Sequence, residues 1–77
     1  MDDMPEIVVD ARGHQCPVPT LLLRRAAQRA PAGAVLRLIA DDPLARIDAP
    51  HFAGEAGLEV LSISGDHEVT VRVRKPA

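Results

Sequence analysis

The chain has 77 residues, a formal net charge of −2 at pH 7, one aromatic residue and a single cysteine. A chain of this length forms one small domain that buries only about 60% of its unfolded surface, too little to enclose a deep substrate cavity. The modest acidic charge and the lack of aromatic stacking platforms argue against general nucleic-acid binding, and one cysteine excludes an internal disulfide.

The acidic start of the chain, residues 1–6, has neither the apolar run of a secretory signal nor the pattern of a mitochondrial presequence. We expect residues 1–5 to be flexible. No stretch approaches the roughly 20 apolar residues that cross a bilayer. These features predict a cytoplasmic protein without a membrane partner.

The first half of the chain predicts a strand, a helix and a second strand. Residues 7–9 are a short apolar run ended by a polar loop, and residues 17–30 carry apolar side chains at helical spacing with arginines mostly opposite. Pro31 and Gly33 end this helix. The strand at residues 35–40 then follows a crossover helix, so it is expected to run parallel to the first strand.

The second half predicts a helix and a hairpin. Asp42 is the expected cap of the second helix, with Pro43 just inside it, a restart at Pro50 and an end near Gly57. Residues 58–64 and 69–74 predict two strands joined by a tight turn at residues 65–66. Together the elements predict one βαβαββ domain over residues 1–77. Its fold class is an α/β two-layer sandwich, a mixed four-stranded sheet with both helices on one face.

Cys16 stands where the first strand and its loop lead into the first helix. Pro17 suits the first helical position, which makes Cys16 the expected N-cap residue. Pro19 has no N–H, so the Val18 amide is the donor left to hold a thiolate. That amide and the positive end of the helix predict a lowered thiol pKa. The competing interpretation is a small buried cysteine.

The ten residues 10–19, with the sequence DARGHQCPVP, match an Asp-x-x-Gly-x-x-Cys-Pro-x-Pro signature. With them the chain resembles the TusA/SirA-like family of small bacterial sulfur carriers. The match continues through the Arg24–Arg25 pair, residues 31–33, the segment at residues 40–43 and residues 48–52. It covers nearly the whole chain.

The resemblance implies a fold like the C-terminal domain of the third bacterial translation initiation factor. It also implies that Cys16 receives sulfane sulfur as a persulfide and passes it on. The implied partners are a donor protein, a cysteine desulfurase or a rhodanese, and an acceptor protein, with no cofactor or metal and a free monomer. Family members serve tRNA thiolation, molybdenum-cofactor metabolism, sulfur oxidation and thiosulfate assimilation. With no second thiol or fused domain in the sequence, a relay protein is expected rather than a stand-alone multi-turnover enzyme.

Two further groups of residues are predicted to assist Cys16, one in its loop and one on the first helix. Arg12 and His14 are candidates to hold an anion, Asp10 to shape the loop through backbone hydrogen bonds, and Gly13 to adopt a conformation that other residues avoid. The helix wheel leaves Leu21 exposed beside arginines, which is typical of an apolar anchor for transient contacts. The supporting residues are thus Asp10, Arg12, Gly13, His14, Pro17, Val18 and Pro19, and the partner-binding residues are Leu21, Arg24, Arg25, Gln28 and Asp42.

Three alternative functions stay open at this point. A metal site would use Cys16 with His14, His51 or His67, but structural zinc sites usually have two or more close ligand pairs and the sequence has one. An RNA-binding or regulatory module would use arginines on the open sheet face, although fold analogy is a poor guide to function. A thiol redox sensor would form a sulfenic acid or disulfide on Cys16 instead of retaining an added sulfur.

Overall fold

Strands and helices alternate as the sequence predicts. The computed structural model describes residues 6–77, so the expectation for residues 1–5 lies outside the described residues. The strands are β1 (Glu6–Asp10), β2 (Val35–Ala40), β3 (Glu59–Ser64) and β4 (Val69–Arg74), and the helices are α1 (Val18–Arg29) and α2 (Ala45–Ala56). The sheet order is β1-β2-β4-β3, with β1 parallel to β2 and the other pairs antiparallel. The predicted α/β sandwich is confirmed.

The core lies between the sheet and the two helices. Alternate residues of the central strands are buried there, including Leu36 and Leu38 of β2 and Val71 of β4, against Leu23 of α1. Burying each such side chain stabilises the fold by about 1.5–3 kcal/mol. The inner face of α2 consists of small residues, Ala45, Ala49 and Ala53, so this helix can pack closely against the sheet. Since both helices pack on one face, the other face of the sheet remains open.

The second helix differs from its prediction in two respects. It begins at Ala45, after a turn in which the Ala45 and Arg46 amides donate to the carbonyls of Asp42 and Pro43. Pro50 does not restart the helix but lies inside it. A proline inside a helix removes one backbone hydrogen bond. Here the buried alanines before and after Pro50 keep the backbone helical, because breaking the helix would expose that packed face.

The β3–β4 connection is longer than the predicted two-residue turn. It spans residues 65–68, and Ser64 pairs with Thr70. Gly65 has φ +97, and a Cβ there would lie 1.8 Å from the Glu68 carbonyl oxygen. The chain therefore closes the turn by bringing the Gly65 backbone against Glu68, which requires glycine. Within residues 6–77 no helix is long and apolar enough to span a membrane.

Candidate functional site

The loop that carries Cys16 lies beside the loop that follows β2. Parallel strands β1 and β2 end at the same edge of the sheet, and the Ala11 amide continues their pairing by donating to the Ile39 carbonyl at 2.8 Å. The chain leaving β1 and the chain leaving β2 are therefore neighbours. Their side chains build the surroundings of the thiol.

Two consecutive aspartates after β2 hold the cysteine loop. The Gly13 amide donates to both carboxylate oxygens of Asp41, at 2.9 and 3.1 Å. The Cys16 amide donates to Asp42 Oδ2 at 2.8 Å, and the Leu44 amide donates to Asp42 Oδ1 at 2.9 Å. These backbone donors lower the pKa of Asp42, because they favour its ionised form. One carboxylate thus joins the backbone of Cys16 to the start of α2.

The expected N-cap role of Cys16 is wrong. Helix α1 begins at Val18, with Pro17 as its N-cap and no side-chain cap, and Pro19 lies in its first turn. The Val18 amide donates to the Gln15 carbonyl at 2.9 Å. The Val18 amide, which was expected to hold the thiolate, is therefore already hydrogen-bonded within this turn. The helix also begins one residue later than predicted, at Val18 and not at Pro17. The sulfur therefore lacks that amide as a direct donor.

The expected lowering of the Cys16 pKa is also wrong. Burial of the half-buried thiol raises its pKa to about 11, with further increases from hydrogen bonding to Asp48 and from the negative charges of Asp42 and Asp48. Burial and negative charge both disfavour a thiolate. The positive end of α1 favours the thiolate, but burial and the charges of Asp42 and Asp48 outweigh it. Free Cys16 is accordingly a neutral thiol near pH 7.

Asp10 and Arg12 form an ion pair at the start of the loop. Arg12 Nε and Nη2 donate to the two Asp10 oxygens at 2.9 and 2.8 Å, and the Arg12 amide donates to Asp10 Oδ1 at 3.1 Å. The pair lowers the pKa of Asp10 to about 2 and raises that of Arg12. Arg12 also meets Glu68 at 3.6 Å. The expected loop-shaping bonds of Asp10 are present, whereas the Arg12 guanidinium is engaged by the carboxylates of Asp10 and Glu68.

The remaining predicted residues lie on either side of Cys16. Gly13 has φ +86, the backbone conformation expected for it. His14 is exposed in an open cleft with Asp41 and Asp42. Leu21 is exposed as predicted, and it shares a shallow depression on α1 with the other predicted partner-binding residues of that helix. The residues of this α1 surface are Leu21, Arg24, Arg25 and Gln28.

The histidines of the metal alternative do not gather around the cysteine. His51 lies on α2, where its Nε2 is 3.5 Å from Glu55. In the described part of the chain no three His, Cys, Asp or Glu side chains are grouped to hold a metal ion. The geometry gives the metal alternative no support.

Sequence reasoning missed two residues of the site, Asp41 and Asp48. The position of Asp41 could have been predicted from the parallel pairing of β1 and β2. The carboxyl ends of parallel strands lie at the same edge of the sheet, so the residue that follows β2 lies beside the loop that follows β1. Asp48 was included in the family match at residues 48–52, but no role at the site was predicted for it. Its place near Cys16 depends on α2 being continuous and lying alongside α1, which the sequence did not indicate.

Replacing Asp48 tests the origin of the raised thiol pKa. Asp48→Asn is expected to speed alkylation of Cys16 by iodoacetamide at pH 7 about three- to tenfold, because loss of one negative charge favours the thiolate. The matched control is Glu59→Gln, which removes one negative charge at the start of β3, at the opposite end of the sheet from the Cys16 loop. Equal alkylation rates for Asp48→Asn and the wild type would mean that Asp48 does not act on the sulfur.

Comparisons with known proteins agree with the resemblance found in the sequence. The family model described as sulfurtransferase TusA matches residues 7–75. The sulfur carrier protein TusA of Pseudomonas putida strain GB-1 is 38% identical over 65 residues, covering 84% of this chain and 81% of the relative. That of Pseudomonas entomophila is 38% identical over 60 residues, covering 78% and 75%. The crystal structure of a SirA-like protein from Desulfitobacterium hafniense matches with a TM-score of 0.73 and 26% identity, over 92% of this chain and 99% of that one.

Proposed function

The chain belongs to the sulfurtransferase TusA family, and we propose that it relays sulfane sulfur as a persulfide on Cys16 from a donor protein to an acceptor protein. One observation carries this proposal: the only cysteine of the sequence stands in the family signature, on a loop that two aspartates fix at an open edge of the sheet. A half-buried thiol at such an edge is within reach of another protein's cysteine.

Both halves of the relay exchange one sulfur without net oxidation. Cys16 loses its proton and attacks the outer sulfur of a donor persulfide, the donor S–S bond breaks, and the donor cysteine leaves as a thiolate and takes up a proton. Cys16 then carries the outer sulfur. In the second half an acceptor thiolate attacks that sulfur, and Cys16 leaves as the thiolate.

The donor in this proposal is a cysteine desulfurase or a rhodanese, and both partners dock around Cys16. The α1 surface supplies an apolar anchor, Leu21, among the polar side chains of Arg24, Arg25 and Gln28. Such a mixed surface suits a transient contact. The protein works in the cytoplasm and is a monomer when free. It is a carrier for partner proteins and not a self-contained enzyme, because relay chemistry on one thiol requires a second protein at each step.

The two other functions that the sequence left open find less support. On the open sheet face Arg37 and Arg72 lie 3.5 and 3.4 Å from Glu6, and Arg74 lies 3.7 Å from Glu59. Carboxylates beside these arginines weaken the case for an RNA-binding face. A redox sensor typically has an exposed thiol of low pKa, and the raised pKa of Cys16 argues against that function.

Intact mass spectrometry tests the proposal. The purified protein is incubated with a cysteine desulfurase and L-cysteine, and in parallel with a rhodanese and thiosulfate. We expect a gain of about 32 Da, one sulfur atom, that dithiothreitol removes. A parallel sample treated with hydrogen peroxide provides the oxidised forms for comparison, of which the sulfinic acid also adds about 32 Da but resists dithiothreitol. Absence of the adduct with both donors, for a protein whose Cys16 still reacts with iodoacetamide, would contradict the carrier function.

A further inference from the structure

Three large apolar side chains stand out from the surface near the start of the two helices. Ile47 is 66% exposed, Leu44 53% and Leu21 52%, the highest values among the large apolar residues of the described part of the chain. Single exposed apolar residues are ordinary, but a group of them marks an interaction surface. Leu21 belongs to the α1 surface already described. Leu44, the N-cap residue of α2, and Ile47, in the first turn of α2, have no assigned role.

The Asp42 carboxylate fixes Leu44 beside the cysteine. Its Oδ1 accepts from the Leu44 amide at 2.9 Å, and its Oδ2 accepts from the Cys16 amide at 2.8 Å. Asp48, one helical turn after Leu44, acts on the thiol itself. Ile47 is the i+3 neighbour of Leu44, and residues at this spacing are adjacent on a helix surface. Leu44 therefore lies beside the cysteine loop, and Ile47 extends this apolar surface along the solvent-facing side of α2, opposite the buried Ala45 and Ala49.

Uncompensated negative charge lies on the same side of the sulfur. Asp41 and Asp42 accept hydrogen bonds from neutral backbone amides, and between residues 6 and 77 neither of them, nor Asp48, takes part in an ion pair. Arg12 of the signature is paired with Asp10. A surface with apolar groups beside unpaired carboxylates is complementary to one with apolar and cationic groups.

We propose that Leu44 and Ile47, together with the carboxylates of Asp42 and Asp48, dock a partner protein that presents an apolar side chain and a Lys or Arg beside its own reactive cysteine. This inference rests on the proposed sulfur-carrier function and specifies the chemistry of the partner. The apolar contact supplies affinity, and the cation compensates the carboxylates. A second copy of the chain would bring carboxylates against carboxylates, so it does not fit this surface.

The proposed contact also promotes ionisation of the Cys16 thiol. A cation brought next to Asp42 and Asp48 offsets their effect on the sulfur, so the thiolate becomes the favoured form only in the complex. A thiolate attacks a donor persulfide faster, and a cysteine that is stable as a thiolate is also a better leaving group during discharge. Small anionic thiols and donors are repelled by the same carboxylates. The free carrier is thus protected from unspecific sulfur exchange.

Short persulfide peptides test both parts of the proposal. Each has one persulfidated cysteine: in the first it is flanked by two arginines and then two leucines, in the second by two glutamates and then two leucines, and in the third by two arginines and then two serines. Transfer to Cys16 is followed by intact mass at low salt. The first peptide is expected to load the protein at least tenfold faster than the second and at least threefold faster than the third.

Variants assign the differences to the named side chains. Asp48→Asn is expected to reduce the advantage of arginines over glutamates, and the double variant Leu44→Gln with Ile47→Gln to remove the advantage of leucines over serines. Val8→Thr is the matched control, since Val8 is 49% exposed on the open sheet face, away from the helices. Iodoacetamide alkylation of the double variant and of Val8→Thr should equal that of the wild type.

Each result decides between the proposals. Equal loading by the arginine and glutamate peptides would overturn the charge complementarity, and an unchanged preference for leucines in the double variant would overturn the apolar docking surface. A dimer that sediments as one species in the wild type and is lost in the double variant would assign the surface to a second copy instead. Failure of every persulfide donor to load a Cys16 that iodoacetamide alkylates would contradict the sulfur-carrier function itself.

Discussion

Cys16→Ser is expected to take up no sulfur from any donor, whereas the wild-type protein gains about 32 Da. The serine hydroxyl cannot form a persulfide, and no other cysteine exists in the sequence. The fold should survive, because Cys16 is only half-buried and contributes its backbone amide to Asp42, which serine retains. Circular dichroism and thermal unfolding of both proteins provide the control for folding.

A mass gain in the Cys16→Ser protein equal to that of the wild type would place the sulfur elsewhere and contradict the relay on Cys16. Cys16→Ala gives a second, independent variant without the hydroxyl. Its loss of loading should match that of Cys16→Ser, because both lack the sulfur that accepts the transferred atom.

The alkylation rate of free Cys16 is expected to rise with pH to a midpoint near 11. Burial and the carboxylates of Asp42 and Asp48 raise the pKa, so at every pH between 7 and 9 the folded protein has less thiolate than an unfolded chain. A thiol with an ordinary pKa titrates near 8.5. At pH 8 the folded protein should therefore react with iodoacetamide more than tenfold more slowly than the same chain unfolded in urea.

The titration is measured on folded protein and on a peptide of residues 12–20, with the fold checked at each pH. A midpoint for the folded protein at or below that of the peptide would contradict the account of the site. It would instead indicate that the start of α1 activates the sulfur.

The fold followed from patterns that local residues determine. Alternating Val69, Val71 and Val73 predicted a strand with one buried face, and the helix between two apolar strands predicted their parallel pairing; both predictions are confirmed. The continuity of α2 through Pro50 did not follow, because it depends on the packing of the alanines on both sides of that proline. The length of the β3–β4 connection depends on strand register, which the turn residues alone left open.

The sequence predicted the location of the candidate site but not the pKa of its thiol. The signature residues identified Cys16 and its loop directly. The pKa of the thiol depends on Asp42 and Asp48, which are 26 and 32 positions away in the sequence. Asp42 reaches the sulfur through the pairing of β1 with β2, and Asp48 reaches it through the packing of α2. The Val18 amide also found a local partner in the Gln15 carbonyl, which a helix-capping argument does not consider.

In the relay proposed for Cys16, the raised pKa of the thiol has a physical advantage for the loaded protein. When a thiol attacks the outer sulfur of the Cys16 persulfide, Cys16 must leave as a thiolate, and a leaving thiol of high pKa leaves slowly. The carboxylates that make Cys16 a poor nucleophile in the free protein therefore also slow the loss of its sulfur to stray thiols. A carrier needs this property between its two partners.

The central claim is that sulfur resides on Cys16 and moves from there to another protein. The most direct measurement loads the protein with ³⁵S from labelled cysteine through a desulfurase, then removes the desulfurase and free cysteine. An excess of sulfur-free rhodanese is added, whose free cysteine accepts the label in the reverse of the donor reaction. The account predicts that the label leaves Cys16 and appears on the acceptor cysteine in equal amount, without reductant. Label that stays on the carrier, or that is released only as free sulfide, would contradict the relay.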